Sequence, residues 1–196
     1  DVYKRQVGQA ETLLYRRGNF GGPWDSVICD AIIQKRDTQI SLSPGFRWGT
    51  TLLPGQKITI DDIYSQTSMN YPEVYRTEMS GETIKNILED VADNIFNIDP
   101  YLQQGGDMVR TRGIKYSIDP KQTMNNRISN LRLNNNLAIK PNKMYKVSGW
   151  ASVNNIEEGR PIWEIVTEYL KTIVQYKVDN TKNISVIGDK DNIGID

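Results

Sequence analysis

The period of the apolar residues changes partway along this chain, and that change limits what it can fold into. Behind Ser80, the residues Ile84, Ile87, Leu88, Val91, Ala92 and Ile95 recur three or four apart, while Glu82, Lys85, Glu89 and Asp93 occupy the opposite side. This spacing predicts an amphipathic helix with Ser80 as its cap. Beyond residue 112 the period falls to two: segments 113–118, 127–133 and 143–148 alternate apolar with polar and read as strands. Asn134-Asn135-Asn136 and Pro141-Asn142 would supply the turns of a β meander. A helix with one apolar stripe and strands with one apolar face each need a surface to cover, and each can cover the other.

The first half mixes the two periods. A β-prone run at 12–15 ends in Arg16-Arg17-Gly18-Asn19-Phe20-Gly21-Gly22-Pro23, where two basic residues meet a Gly/Pro cluster. Pro23 suits a first helical turn, and Trp24, Val27, Ile28, Ala31 and Ile32 continue at helical spacing to Lys35-Arg36. A second strand at 39–42 runs into Ser43-Pro44-Gly45-Phe46-Arg47-Trp48-Gly49. Segments 57–60 and 64–69 read as short β or turn pieces around Asp61-Asp62, and 74–79 alternates as a strand. A long polar loop is expected over 97–112, and a last helix over 162–174, followed by a polar tail with one short apolar run at 184–187. There is no internal repeat and no low-complexity linker. The sum is an α+β fold, a mixed sheet with packed helices, in one domain of ordinary size.

Composition narrows function by exclusion. Lys plus Arg and Asp plus Glu each number 24, so the net charge is zero and the broad basic surface of a nucleic-acid binder is missing. No apolar run approaches the roughly 18 residues that span a bilayer, which leaves no membrane partner to expect. The first six residues, Asp1-Val2-Tyr3-Lys4-Arg5-Gln6, resemble the translation of a transposase-end adapter used in sequencing libraries. They are set aside, the domain is taken as 7–196, and the protein is expected to extend upstream. The single cysteine, Cys29, sits in an apolar stretch and reads as a small buried hydrophobe. There is no histidine, which removes the commonest general base and the commonest catalytic metal ligand. P-loop, nucleophile-elbow, zincin and CxxC patterns are also missing, so neither a complete catalytic centre nor a metal site is expected within this chain.

Chemistry, if present, gathers where arginine stands beside glycine at strand ends: Arg16 and Arg17 near Asn19, Arg47 near Trp48, and Arg110 after Gly105-Gly106-Asp107. A guanidinium fork with nearby glycine amides suits a tetrahedral oxyanion. Spacing alone fits surface ion pairs as well. Trp48, Tyr71 and Trp150, at loop positions, fit either a ligand wall or packing, whereas Trp24 and Tyr75 lie within predicted elements and read as core. Asp107 can orient an arginine, act as an acid or simply make a turn.

Ser26-Val27-Ile28-Cys29-Asp30-Ala31 resembles the N-L-I-C/A-D-A helix of the 5′-nucleotidase C-terminal domain, and Ser43-Pro44-Gly45-Phe46-Arg47 stands at that superfamily's N-G-G-G-I-R anion loop. The strings 13–20, 43–50, 103–110 and Gly149-Trp150-Ala151-Ser152-Val153 resemble the SoxB-type thiosulfohydrolases within it. That resemblance, over about 11–174, implies an upstream metallophosphoesterase domain with two manganese ions (zinc being the other candidate), none of them bound by this chain. It implies a periplasmic enzyme that releases sulfate from a cysteine-bound thiosulfonate on the SoxYZ carrier. This domain would close over the metals and present Arg16, Arg17, Asn19, Arg47, Trp48, Tyr71, Gly106, Asp107, Arg110 and Trp150 to the substrate. The place of the nucleotidases' N-F-x-x-x-G-G-D loop reads Gly149-Trp150-Ala151-Ser152-Val153-Asn154, without the Gly-Gly-Asp, which argues against a nucleotide clamp. A nucleotidase half and a metal-free carrier-binding module stay as the alternative readings.

Overall fold

The computed structural model describes residues 2–152, 159–173, 175–179 and 182–188. The α+β expectation holds in it: four helices pack on three small sheets, each of which mixes parallel and antiparallel pairing. The sheet that carries the candidate site has four strands: β2 (Ile40–Ser43), β4 (Tyr75–Ser80), β5 (Arg110–Arg112) and β8 (Met144–Gly149). Their order is β4-β8-β2-β5, with β2 and β8 parallel in the middle and an antiparallel strand on each edge. A second sheet joins β3 (Lys57–Thr59), β1 (Gln6–Ala10) and β9 (Gln175–Tyr176); a third joins β10 (Ile184–Val186), β6 (Ile114–Ile118) and β7 (Ile128–Leu133).

Alternation along β2 explains why this sheet is covered on both faces. Ile40 and Leu42 join a core with Ile84, Leu88 and Ala92 of helix α3 (Gly81–Phe96) and with Val147 of β8. Ser41 and Ser43 point the other way: Ser41 lies beside Cys29 of helix α1 (Pro23–Arg36), and Ser43 accepts from the Trp150 indole at 2.8 Å. Cys29 is fully enclosed and burial pushes its thiol up to about 12, in keeping with a packing role. Trp24, Val27, Ile28 and Ile32 of α1 form the other core with Ile165, Val166 and Leu170 of helix α4 (Ile162–Ile173). Val174, also expected in that last helix, lies outside the described residues.

Several local expectations fail for identifiable reasons. The run at 12–15 is no strand; it contributes one bridge, Leu14 to Leu52, and the strand that opens the chain is β1, which begins at Gln6, inside the six residues set aside. Residues 64–69 read as β or turn, yet Ile60–Thr67 is helix α2. The missed signal is a capping box. The Thr59 amide donates to the Asp62 carboxylate at 2.8 Å while the Asp62 amide donates back to the Thr59 hydroxyl at 3.3 Å. Glu89, placed by periodicity on the solvent side of α3, is fully buried, because its carboxylate accepts the amides of Ile128 (2.7 Å) and Arg127 (3.3 Å) where β7 begins. The meander also fails. Asn134-Asn135-Asn136 does turn the chain, folding 137–139 back on β7, but β8 then leaves to pair with β2 and β4 in another sheet. The long polar loop is shorter than expected: Pro100–Leu102 form a 3-10 turn and Arg110 already lies on β5.

Candidate functional site

Three loops meet beyond one end of the four-stranded sheet: 16–22 before α1, 44–50 after β2, and 103–109 before β5. The amide of Met108 donates to the carbonyl of Asn19 at 2.9 Å, joining the first to the third. Gly45 lets the second pass the third, since a Cβ there would stand 2.5 Å from the Met108 carbonyl and 2.8 Å from the Asp107 Cβ. Gly49 has φ near +102°, and a Cβ on it would collide with the Gln66 side chain.

Asp25, in the first turn of α1, is the hub beneath these loops. Its Oδ1 accepts from Arg16 Nε at 2.7 Å, and its Oδ2 accepts the Gly22 amide at 2.8 Å and lies 3.3 Å from Arg110 Nε. Arg16 has no exposed side-chain surface. Besides Asp25 it donates to the carbonyls of Gln66 (2.8 Å) and Pro44 (3.0 Å), with Phe46 packed over its guanidinium. Arg110, also buried, donates to the Gly18 carbonyl at 2.9 Å, and its desolvation lowers its proton affinity, partly offset by Asp25 and Asp107. These two arginines, expected among the substrate ligands, are turned inward and tie loops together.

Arg17 and Arg47 face outward. Of the two adjacent arginines whose orientation the sequence leaves open, it is Arg17 that points to solvent, its Nη1 donating to the Arg47 carbonyl at 2.6 Å. Arg47 is held along one edge. Its Nε donates to Asp107 Oδ1 at 2.7 Å, and its Nη2 donates to Asn19 Oδ1 and to the Gly106 carbonyl at 3.3 Å. Nη1 makes no hydrogen bond among the described residues, and nearly half of the side chain is exposed, so one guanidinium edge faces solvent in a fixed orientation. Asp107 Oδ1 also lies 3.8 Å from the buried Arg110 Nη2, which links the outward arginine to the inward one through a single carboxylate.

An apolar groove of about 680 Å³ opens next to this cluster. Leu42, Tyr75, Met79, Ile87 and Val91 form its floor and walls, and Gly45, Asp107 and Ser152 stand among its lining. Burial pushes the Tyr75 phenol up to about 12, so it is a neutral hydrogen-bonding group at physiological pH. Trp150 is buried and contributes a wall rather than an exposed platform. Trp48 is exposed and stacks on Phe46 with centroids 4.0 Å apart. Tyr71 is exposed too, and both it (φ 59°) and Ala151 (φ 57°) hold left-handed backbone, joined by an Ala151 amide to Tyr71 carbonyl bond of 3.0 Å. Asn19, Arg17, Arg47, Gly106 and Asp107 thus form one cluster, Trp48 caps Phe46 beside it, and Trp150 lines the groove, while Tyr71 is not among the groove's lining and is tied to it through Ala151. Val153 and Asn154, from the string at the nucleotidase clamp position, lie outside the described residues. The sequence reading missed Asp25 and Gln66. Asp25 had a legible signal, a carboxylate three residues beyond Gly22 at a helix start; Gln66 had none.

The model of the 5′-nucleotidase C-terminal domain matches residues 6–159 of this chain. Over 99% of its length the chain superposes on the sulfate thiohydrolase SoxB of Thermus thermophilus, solved in complex with glycerol, with a TM-score of 0.90 and 34% identity, and it covers 37% of that protein. It shares the fold of a 5′-nucleotidase precursor from Thermus thermophilus (TM-score 0.75, 16% identity, 96% of this chain, 40% of that one). It also shares the fold of the NAD nucleotidase of Haemophilus influenzae (TM-score 0.73, 16% identity, 94% of this chain, 38% of that one). Comparison with curated proteins gives no match. The chain therefore spans about two fifths of the length of these solved relatives.

Proposed function

This chain belongs to the 5′-nucleotidase C-terminal domain family, and we propose that it is the substrate-recognition half of a SoxB-type thiosulfohydrolase. In this reading the full enzyme is periplasmic and releases sulfate from a cysteine-bound thiosulfonate on the SoxYZ carrier. An upstream metallophosphoesterase half would hold two manganese ions, with zinc the other candidate. In this reading the part of this chain is recognition of the substrate.

The observation that carries the reading is the fixed, open edge of Arg47. A sulfonate presents oxygens that such an edge can bind, and a guanidinium already clamped by Asp107, Asn19 and Gly106 loses little further freedom on binding. Its worth would rise on closure, because excluding water strengthens a charge-assisted hydrogen bond. Arg17 would add a second, solvent-screened positive charge at the rim, and Trp48 an aromatic surface beside it. The groove lined by Tyr75, Met79 and Val91 would take the apolar part of whatever carries the sulfonate.

The decisive experiment measures sulfate release from a thiosulfonated carrier by the two-domain enzyme and by its Arg47→Ala variant. The variant is expected to lose about 10²–10³-fold in turnover, as when one oxyanion-binding donor is removed, with its melting temperature unchanged. Full activity in that variant would remove Arg47 from the site. Phosphate release from nucleoside monophosphates, with no sulfate release, would transfer the chain to the nucleotidase reading.

A further inference from the structure

We propose that Asp107 tunes the charge preference of the anion site, shifting it toward a monoanionic sulfonate and away from dianionic sulfate. The inference rests on the thiosulfohydrolase reading, in which the first is the substrate and the second the product. Its basis is the position of one carboxylate. Asp107 Oδ1 is 2.7 Å from Arg47 Nε, the side chain is only 13% exposed, and the residue stands in the lining of the groove. An anion on the open Nη1 edge of Arg47, at an ordinary hydrogen-bond distance of about 2.8 Å, would stand about 6–7 Å from that carboxylate.

Asp107 therefore does two opposed things. It holds Arg47 by one edge, so that the guanidinium is presented to an arriving anion, and it repels that anion; both the attraction to Arg47 and the repulsion from Asp107 grow with ligand charge, and Asp107 offsets part of what a dianion would gain. Arg110 keeps the carboxylate in place from behind, 3.8 Å away and itself tied to the Gly18 carbonyl. Arg17 and the pair Arg16 and Asp25 also contribute to the local field. Their contributions are common to wild type and variant, so removing the Asp107 charge alone isolates its effect. Coulomb's law makes the repulsion on a dianion twice that on a monoanion. If losing it improves sulfonate binding by some factor, sulfate binding improves by about the square of that factor. For a half-exposed site the factor is about three- to tenfold per ligand charge.

Asp107→Asn keeps the shape and an oxygen for Arg47 Nε, and removes the charge. The test is a nuclear magnetic resonance titration of the full chain with methanesulfonate and with sulfate, at constant ionic strength, following the arginine Nε–H and the Gly105 and Gly106 amide signals. Relative to wild type, the preference for sulfate over methanesulfonate in Asp107→Asn should rise by about three- to tenfold. Asp107→Ser serves if the Asn variant does not fold, with the same direction of change. A merely structural Asp107 would weaken both anions, sulfate at least as much as sulfonate, and a ratio that does not move toward sulfate overturns the proposal. Failure of both anions to saturate wild type also overturns it. Sulfate release by the two-domain enzyme then decides the functional reading separately, since a selective anion site without that activity would leave Asp107's role standing and the thiosulfohydrolase assignment refuted.

Discussion

Arg16 and Arg17 are adjacent in sequence and serve opposite ends, and the same split separates Arg110 from Arg47. Arg16 and Arg110 are buried against Asp25 and backbone carbonyls, whereas Arg17 and Arg47 stand at the surface and bond mostly to loop carbonyls and to Asp107. In an extended segment successive side chains point to opposite sides, so the doublet Arg16-Arg17 puts one cation into the core and one into solvent. The buried pair fixes three loops, and the loops in turn fix the exposed pair. What a guanidinium does here is set by what already surrounds it, more than by its being an arginine.

The comparison breaks most visibly if the inward arginines prove dispensable. Arg16→Ala would empty the Oδ1 side of the buried Asp25, leaving it only Arg110 as a cation among the described residues, and would strip the Gln66 and Pro44 carbonyls of their donor. Removing one member of a buried ion pair typically costs about 3–5 kcal/mol, and denaturant unfolding of the purified chain measures it. A loss below about 1 kcal/mol, the range of an exposed pair, would mean that Arg16 is not the anchor its burial indicates.

That asymmetry also explains how far the sequence could be read. Gly/Pro clusters beside arginine located all three loops of the site, since turn chemistry is local, and the helices α1, α3 and α4 were plain from period and caps. Which arginine turns inward was not legible, because burial of a charge depends on a partner distant in sequence. Arg110 finds Asp25 on helix α1, and Arg16 finds the Gln66 carbonyl, 50 residues away. The departure of β8 from the expected meander has the same cause. Alternation shows that residues 144–149 form a strand, but it carries no information on which strand it pairs with, and the parallel pairing with β2 puts Trp150 at the groove.

A sharper test sits between the two pairs, at the crossing of the 44–50 and 103–109 loops. Gly45→Ala forces a methyl group to within 2.5 Å of the Met108 carbonyl, so one loop must shift. Overpacking of this kind costs about 1–3 kcal/mol, less than the loss of Arg16. Asp107 is the other neighbour of that methyl and also the residue that grips Arg47. Sulfate release should therefore fall further than the stability loss alone would cause, by about tenfold or more, since a displacement of an ångström in a positioning group is costly. If stability falls and activity per folded molecule does not, the Asp107 grip on Arg47 is not what orients it.

The smallest effect is expected at Arg17, and it separates the two outward arginines from each other. Arg17→Ala removes one exposed hydrogen bond to the Arg47 carbonyl, so the stability change should stay within about 1 kcal/mol in a melting experiment. Its charge is screened by solvent, whereas Arg47 is clamped by a carboxylate, an amide oxygen and a carbonyl. Sulfonate binding should consequently weaken only about two- to fivefold in Arg17→Ala, about what one screened charge contributes, and the deficit should shrink as salt is added. A salt-independent loss as large as that of Arg47→Ala would show that Arg17 holds the anion directly. The Arg47 side chain would then be the support, and the division between gripping and framing arginines would run between Arg17 and the other three.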